Sequence, residues 1–181
     1  MLRKRLLFLG FAFLSLVAVG LVGYNQHSAS PPQPKKDVIA AGNIGSRLPD
    51  FSMKDLQGRD ISSTDLRGRV VLIDFWATWC QPCKQEMPGY QRLADLYGPR
   101  GFAVVGFKFA TMKDTEDPKR FAKKLGVHYP LVVASDDLIQ KFGGIEGLPT
   151  TLLYDRRGVL HKKVIGFEYT EAFEADLKPL L

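Results

Sequence analysis

Residues 70–83 read VVLIDFWATWCQPC, and this stretch decides the fold. From Val70 onwards seven residues are apolar except for Asp74, a pattern typical of a strand buried on both faces. The segment that begins at Gln81 has the periodicity of a helix. Cys80 is therefore expected at the helix N-terminus, where unpaired N–H groups and the helix dipole favour a thiolate.

The only two cysteines of the chain, Cys80 and Cys83, are predicted to form a redox-active dithiol. Cys83 lies one helical turn after Cys80, so it can attack a mixed disulfide formed there. A zinc site would need two more cysteine or histidine ligands, and the three histidines are unpaired in the sequence. A structural staple across so few residues would constrain little of the unfolded chain. We therefore expect no metal and no cofactor.

Residues 1–24 are predicted to be a signal anchor, that is, a transmembrane helix. Three basic residues precede an uncharged, mostly apolar stretch from Leu6 to Tyr24. As a helix this stretch would span about 28 Å, close to the ~30 Å hydrocarbon core of a bilayer. The basic flank should stay in the cytoplasm, so we expect a single-pass protein of the cell membrane with its catalytic domain in the periplasm or outside the membrane. A cleaved signal peptide is the alternative.

The rest of the chain is expected to be a flexible linker at residues 25–44 and one domain at residues 45–181. The linker is rich in proline and small polar residues. The formal net charge is +6, but residues 1–36 hold five basic residues and no acid, which leaves 20 basic against 19 acidic residues. We therefore expect no nucleic-acid partner. Since no cysteine is left to staple the domain, the one pair should serve chemistry.

Periodicity and turn residues predict an N-terminal hairpin at 50–61 and then the order β-α-β-α-β-α-β-β-α. This order indicates a mixed sheet with helices on both faces. Thr170 is expected to cap the last helix. The predicted strands cover 70–75, 101–109, 129–133, 150–154 and 159–166, and the predicted helices cover 81–97, 118–125, 136–142 and 171–180.

Residues 71–88, VLIDFWATWCQPCKQEMP, closely resemble the active-site segment of the thioredoxin superfamily. The Cys-x-Pro-Cys-Lys-x-Glu-x-Pro pattern, with Ala-Thr-Trp ahead of it, is similar to the membrane-tethered TlpA/ResA/CcmG (DsbE) branch. Residues 148–150, Leu-Pro-Thr, match the cis-proline segment of the family. The resemblance covers about residues 46–181. It implies an α/β thioredoxin-like fold, a mixed central sheet flanked by helices, with an N-terminal β-hairpin extension.

The resemblance also implies roles for single residues. Cys80 would be the exposed nucleophile and Cys83 the resolving thiol. Pro149 would face the disulfide through a cis peptide bond, and Pro88 would kink the helix. The residues expected to contact a bound client are Trp79, Gln81, Pro82, Leu148, Pro149 and Thr150, whereas Trp76 is expected in the core.

Two acids complete the predicted site. A carboxylate buried in a strand, as Asp74 would be, is costly unless it is paired or its pKa rises. The resemblance to thioredoxin implies that Asp74 accepts the proton of Cys83, and the ResA-like branch implies that Glu86 tunes the thiols and meets the client. The alternative for Glu86 is an exposed helix residue paired with Lys84 or Arg92.

Together these features predict a membrane-tethered, extracytoplasmic protein disulfide reductase. By resemblance its partners would be client proteins with disulfides, with apocytochrome c the leading candidate, and a membrane electron donor of the DsbD/CcdA type. The pathway would then be cytochrome c maturation. The alternatives are a dithiol oxidase or isomerase, and a non-catalytic module that holds its client. A peroxiredoxin is not expected, because its motif needs a proline ahead of the cysteine and residues 74–79 contain none.

Overall fold

The computed structural model describes residues 42–111, 114 and 116–181. The predicted anchor at residues 1–24 and the predicted linker up to residue 41 lie outside the described residues. Within the described part, no helix combines the length and the apolar character that crossing a membrane requires.

The described residues form seven strands and four helices, which follow the predicted order. Short 3-10 turns follow β2, α1 and α4. In chain order the elements are β1 Ser52–Lys54, β2 Asp60–Ser62, β3 Val70–Trp76, α1 Gln81–Tyr97, β4 Phe102–Phe109, α2 Pro118–Lys124, β5 Leu131–Ala134, α3 Asp136–Lys141, β6 Thr150–Tyr154, β7 Leu160–Ile165 and α4 Thr170–Leu177.

Five strands form one mixed sheet in the order β5-β4-β3-β6-β7, and β1 and β2 form a separate antiparallel hairpin. β3, β4 and β5 run parallel, whereas β6 and β7 run antiparallel to their neighbours. β3 is central and all of its residues are buried, as predicted. In the register of the sheet, Asp74 lies between Gly106 of β4 and Thr151 of β6.

The sheet separates two hydrophobic cores, which confirms the predicted α/β architecture. The α1, α2 and α4 helices pack on one face, and α3 packs with the N-terminal hairpin on the other. Because side chains alternate along a strand, Leu72, Asp74 and Trp76 point to the α1 face. Trp76 is fully buried and stacks on Phe121 with ring centroids 5.2 Å apart, so its predicted core position is confirmed.

The α1 helix continues through Pro88, and it meets α4 at Gly89. A Cβ atom at Gly89 would lie 1.9 Å from Thr170 Oγ1, so only glycine allows this approach. The predicted cap of α4 is wrong for the same reason. Thr170 is the first residue of the helix, and its side chain packs against α1, while Tyr169 occupies the cap position without a side-chain hydrogen bond.

Three strand starts of the main sheet also differ from the prediction. β4 begins at Phe102, one residue later than predicted. β5 begins at Leu131, after Pro130, which has no N–H to donate to the ladder. β7 begins at Leu160, because Val159 forms an isolated bridge with Arg47 instead. These shifts leave the topology unchanged.

Candidate active site

Cys80 and Cys83 form a disulfide at the N-terminus of α1, with 5.4 Å between their Cα atoms. Cys80 is the N-cap residue, and its Sγ accepts a hydrogen bond of 3.3 Å from the backbone N–H of Cys83. When the pair is reduced, this N–H and the positive end of the helix dipole would stabilise a thiolate on Cys80.

The two cysteine residues differ in their exposure to solvent. Cys80 exposes 4 % of its surface and Cys83 exposes none. Cys80 is therefore the cysteine that a substrate can reach, although it is far less exposed than the sequence led us to expect. A substrate can therefore reach Cys80 only through the small part of its surface that the neighbouring residues leave open.

Three of the predicted contact residues flank Cys80 along the chain and lie at the surface. Trp79 is 41 % exposed, and its indole Nε1–H donates to Thr111 Oγ1 at 2.9 Å. Gln81 and Pro82 are exposed in the first turn of α1. Proline is tolerated there because the first-turn N–H groups have no partner within the helix.

The segment 148–150 contains a cis Leu148–Pro149 peptide bond, as the resemblance implied. It enters β6 beside the carboxyl end of β3, because Thr150 pairs with Phe75. Leu148 is half-buried and packs against the core cluster that contains both cysteines. Thr150 is fully buried and its hydroxyl donates to the Gly147 carbonyl at 2.7 Å. Its side chain thus supports the loop rather than facing a client.

Asp74 lies beneath α1 with no exposed surface. Among the described residues, neither of its carboxyl oxygens has a hydrogen-bond partner. Because burial penalises the charged form, the pKa of Asp74 rises to about 8. This acid can therefore gain or lose a proton near neutral pH.

Glu86 is buried as well, with 1 % of its surface exposed. Burial first, and then the charge of Asp74, raise the pKa of Glu86 to about 9. The Tyr90 hydroxyl and the backbone N–H of Glu168 act in the opposite direction, but neither forms a hydrogen bond of regular geometry with it. The alternative of an exposed residue paired with Lys84 or Arg92 is wrong, since Glu86 lies on the buried face of α1.

Sequence reasoning missed three polar residues around these acids, namely Tyr90, Tyr129 and Thr151. Tyr90 follows Glu86 by one helical turn, and its hydroxyl lies 3.1 Å from Thr151 Oγ1. Tyr129 is buried beside them, and burial with the nearby Asp74 raises its pKa. The four-residue spacing from Glu86 could have indicated Tyr90, but no pattern around Tyr129 marks it.

The sequence reasoning also missed an ion pair at the carboxyl end of β4. Lys108 interrupts the apolar run of this strand as Asp74 interrupts β3. Its Nζ lies 2.5 Å from a carboxylate oxygen of Asp114. The same interruption that singled out Asp74 could have singled out Lys108.

The fold and the dithiol together define a thioredoxin-like protein. The model of the AhpC/TSA family matches residues 44–163, and the chain belongs to this family. The thiol-disulfide oxidoreductase ResA of Geobacillus thermodenitrificans (strain NG80-2) is 34 % identical over 137 residues, which is 76 % of this chain and 78 % of that protein. The ResA of Bacillus thuringiensis (strain Al Hakam) is 31 % identical over 182 residues, with 99 % of each chain covered.

A solved structure agrees with these relatives. The thiol:disulfide interchange protein of the thioredoxin family from Chlorobium tepidum TLS superposes with a TM-score of 0.68 at 30 % identity. The match covers 77 % of this chain and 99 % of that one. The chain is thus a ResA-like thiol–disulfide oxidoreductase, and Cys80 and Cys83 are its redox pair.

Proposed function

We propose that this oxidoreductase works as a protein disulfide reductase. The observation that carries the proposed mechanism is the unequal access of the two cysteines, since Cys80 is reachable at the helix N-terminus and Cys83 is fully buried. The direction of electron transfer is the part of the proposal that the reduction potential of the pair tests. A buried second thiol is protected from the oxidants and disulfides of the surroundings, and it reacts only after a client has docked on Cys80.

The reaction proceeds through one mixed disulfide. The Cys80 thiolate attacks one sulfur of the client disulfide, and the other client sulfur leaves and takes a proton from solvent. The Cys83 thiol then loses its proton and attacks Cys80 Sγ, so the second client sulfur leaves and is protonated in turn. The client gains two electrons and two protons, and the chain ends with the Cys80–Cys83 disulfide closed.

Asp74 is the proposed base for Cys83. Its pKa near 8 suits the transfer of a proton near neutral pH. Glu86 is proposed to modulate the pKa values of Asp74 and of the Cys83 thiol, because it shares the buried space beneath α1 with Asp74. We assign it no direct contact with the client, since almost none of its surface is exposed.

The client is proposed to bind across the surface that surrounds Cys80. Trp79, Gln81 and Pro82 would form one side of this surface, and the backbone of Leu148 the other. The carbonyl of Pro149 is already bound by the N–H of Gly166 at 2.8 Å, so Pro149 would take part through its ring. Thr150 would act from within, by holding the loop that carries the cis bond.

The cellular setting is also a proposal. The basic and apolar pattern of residues 1–24 favours a membrane anchor with the domain outside the cytoplasm. There the Cys80–Cys83 disulfide left by each turnover would have to be reduced again by a membrane electron donor of the DsbD/CcdA type, and apocytochrome c is the proposed client. Alkaline extraction of membranes tests the anchor: the full chain should stay in the pellet, and recovery in the soluble fraction would contradict anchoring.

A trapping experiment tests the assigned roles. Cys83→Ser should accumulate a mixed disulfide with client proteins, because the resolving thiol is gone. Cys80→Ser is the matched control and should trap none. Equal trapping by both variants, or trapping by Cys80→Ser alone, would contradict the assignment.

The alternative of a non-catalytic client-holding module is tested by the same pair of residues. A holding module with Cys80→Ala should still complement a strain that lacks the gene. A reductase with this change should lose complementation completely.

A further inference from the structure

The residues just before Cys80 are tied to the loop that follows β4. Thr78 Oγ1 donates to Asp114 Oδ1 at 2.6 Å, and the backbone N–H of Thr111 donates to Asp114 Oδ2 at 3.0 Å. Trp79 donates to Thr111 at 2.9 Å. Both residues that precede the nucleophile thus have a hydrogen-bond partner in this loop.

Asp114 in turn pairs with an ammonium group that is itself buried. Lys108 is 5 % exposed, and its Nζ lies 2.5 Å from Asp114 Oδ2. Burial alone would raise the pKa of Asp114, but the hydrogen bonds from Lys108, Thr111 and Thr78 outweigh it and hold the pKa below its usual value. The carboxylate is therefore charged at neutral pH, and it is the centre on which three donors converge.

The position of Lys108 places this ion pair at the catalytic edge of the sheet. Lys108 pairs in register with Trp76, the last residue of β3. It lies on the same face of β4 as Val104, which belongs to the α1 core. Thr78 is two residues from Cys80, so at most about 7 Å of chain separates their Cα atoms.

A buried ion pair is by itself weak evidence for a stabilising role. Burying both charges is costly, and an apolar pair of similar volume often stabilises a protein equally well or better. A carboxylate that accepts several directed hydrogen bonds does fix geometry, and its partner cation keeps the local charge at zero. Because three donors converge on Asp114, its carboxylate is suited to fixing the position of the residues that bind it.

We propose that Asp114 is a positioning residue of the active site: it holds Thr78 and the Trp79 segment, and so the Cys80 turn, while Lys108 balances its charge. The inference rests on the proposed function, in which Cys80 is the attacking thiol. Breaking the pair should change both the conformation of the turn that ends at Cys80 and the charge at its anchor on Thr78, two residues before Cys80.

Two single variants separate these effects from a loss of structure. Asp114→Asn leaves the Lys108 ammonium unbalanced, which stabilises the Cys80 thiolate and the reduced form. Lys108→Met leaves the Asp114 carboxylate unbalanced, which has the opposite effect. We expect the equilibrium constant for reduction by glutathione to rise about threefold or more in the first variant and to fall by a similar factor in the second. The control is Asp60→Asn, which breaks the exposed Lys54–Asp60 pair and should leave the constant unchanged.

Shifts in the same direction for both variants, or no shift in either, would overturn the proposal. Thr78→Val provides a second test that alters no charge, in case a charge variant does not fold. It should lower kcat for a disulfide-bonded peptide about threefold to tenfold at an unchanged equilibrium constant; an unchanged kcat would overturn the positioning role. Alkylation of the reduced wild-type chain by iodoacetamide separates the two proposals, because reaction at Cys83 before Cys80 would contradict the proposed function itself.

Discussion

Asp74 and Glu86 form a pair of carboxylic acids buried between β3 and α1. Neither has a hydrogen-bond partner among the described residues, and their pKa values rise to about 8 and about 9. In the unfolded chain both acids would titrate near pH 4. Between these values the folded protein holds protons that the unfolded chain has released.

Folding therefore takes up protons, and stability falls as the pH rises from about 4 towards 8. Asp74→Asn removes one titrating group and should make the protein more stable than the wild type at pH 8, by several kcal/mol. At pH 4 the two proteins should differ little. Urea unfolding of the oxidised proteins across this range measures the difference. Asp60→Asn, which alters an exposed carboxylate, is the control.

A gap between Asp74→Asn and the wild type that stays constant from pH 4 to pH 8 would contradict the account. It would mean that Asp74 carries its charge in the folded protein, and that a partner outside the described contacts stabilises it.

The pKa of Glu86 should also depend on the charge of its neighbour. Because the charge of Asp74 is one of the causes that raise the pKa of Glu86, Asp74→Asn should lower that pKa. Carboxyl carbon NMR titrations of Glu86 in this variant and in the wild type measure the change. An unchanged pKa of Glu86 would contradict the shared burial of the two acids.

The contact between α1 and α4 depends on the absence of a side chain at Gly89. A Cβ atom there would overlap Thr170 Oγ1 at 1.9 Å and crowd the rest of that side chain. The contact matters for the site, because α1 carries Cys80 at its start and covers Asp74 with its buried face.

Gly89→Ala should destabilise the protein by about 1–3 kcal/mol, because α4 has to move away from α1. Gly98→Ala is the matched control: a Cβ atom at this position meets nothing within 4 Å, so the change should be neutral. Adding Thr170→Ala to Gly89→Ala should recover part of the loss. Thermal unfolding measures all three, and equal effects of the two glycine substitutions would contradict the packing argument.

Helices and strands were predictable where a single pattern dominates. α1 has the predicted bounds because its N-terminal proline and its closing Gly98-Pro99 signal both ends. The cap of α4 was not predictable, since Thr170 has the right chemistry for a cap and only the packing against Gly89 assigns it elsewhere. Tertiary contacts of this kind leave no trace in local sequence.

The topology of the whole domain followed from the sequence, whereas the environment of its buried polar groups did not. The alternation of strand and helix patterns predicted the mixed sheet, and the break in an apolar strand singled out Asp74. The burial of Glu86 and the pairing of Lys108 with Asp114 depend on elements far apart in the chain. Asp114 lies in a loop without periodicity, so no pattern could have placed it beside Thr78.

The direction of electron transfer is the central claim, and the reduction potential of the Cys80–Cys83 pair tests it most directly. Equilibration of the chain with glutathione at pH 7 measures this potential. A reductase should give a value at or below about −220 mV, in the range of glutaredoxins and thioredoxin. A value near about −120 mV, as for a strong oxidant, would contradict the account and make the chain a donor of disulfides.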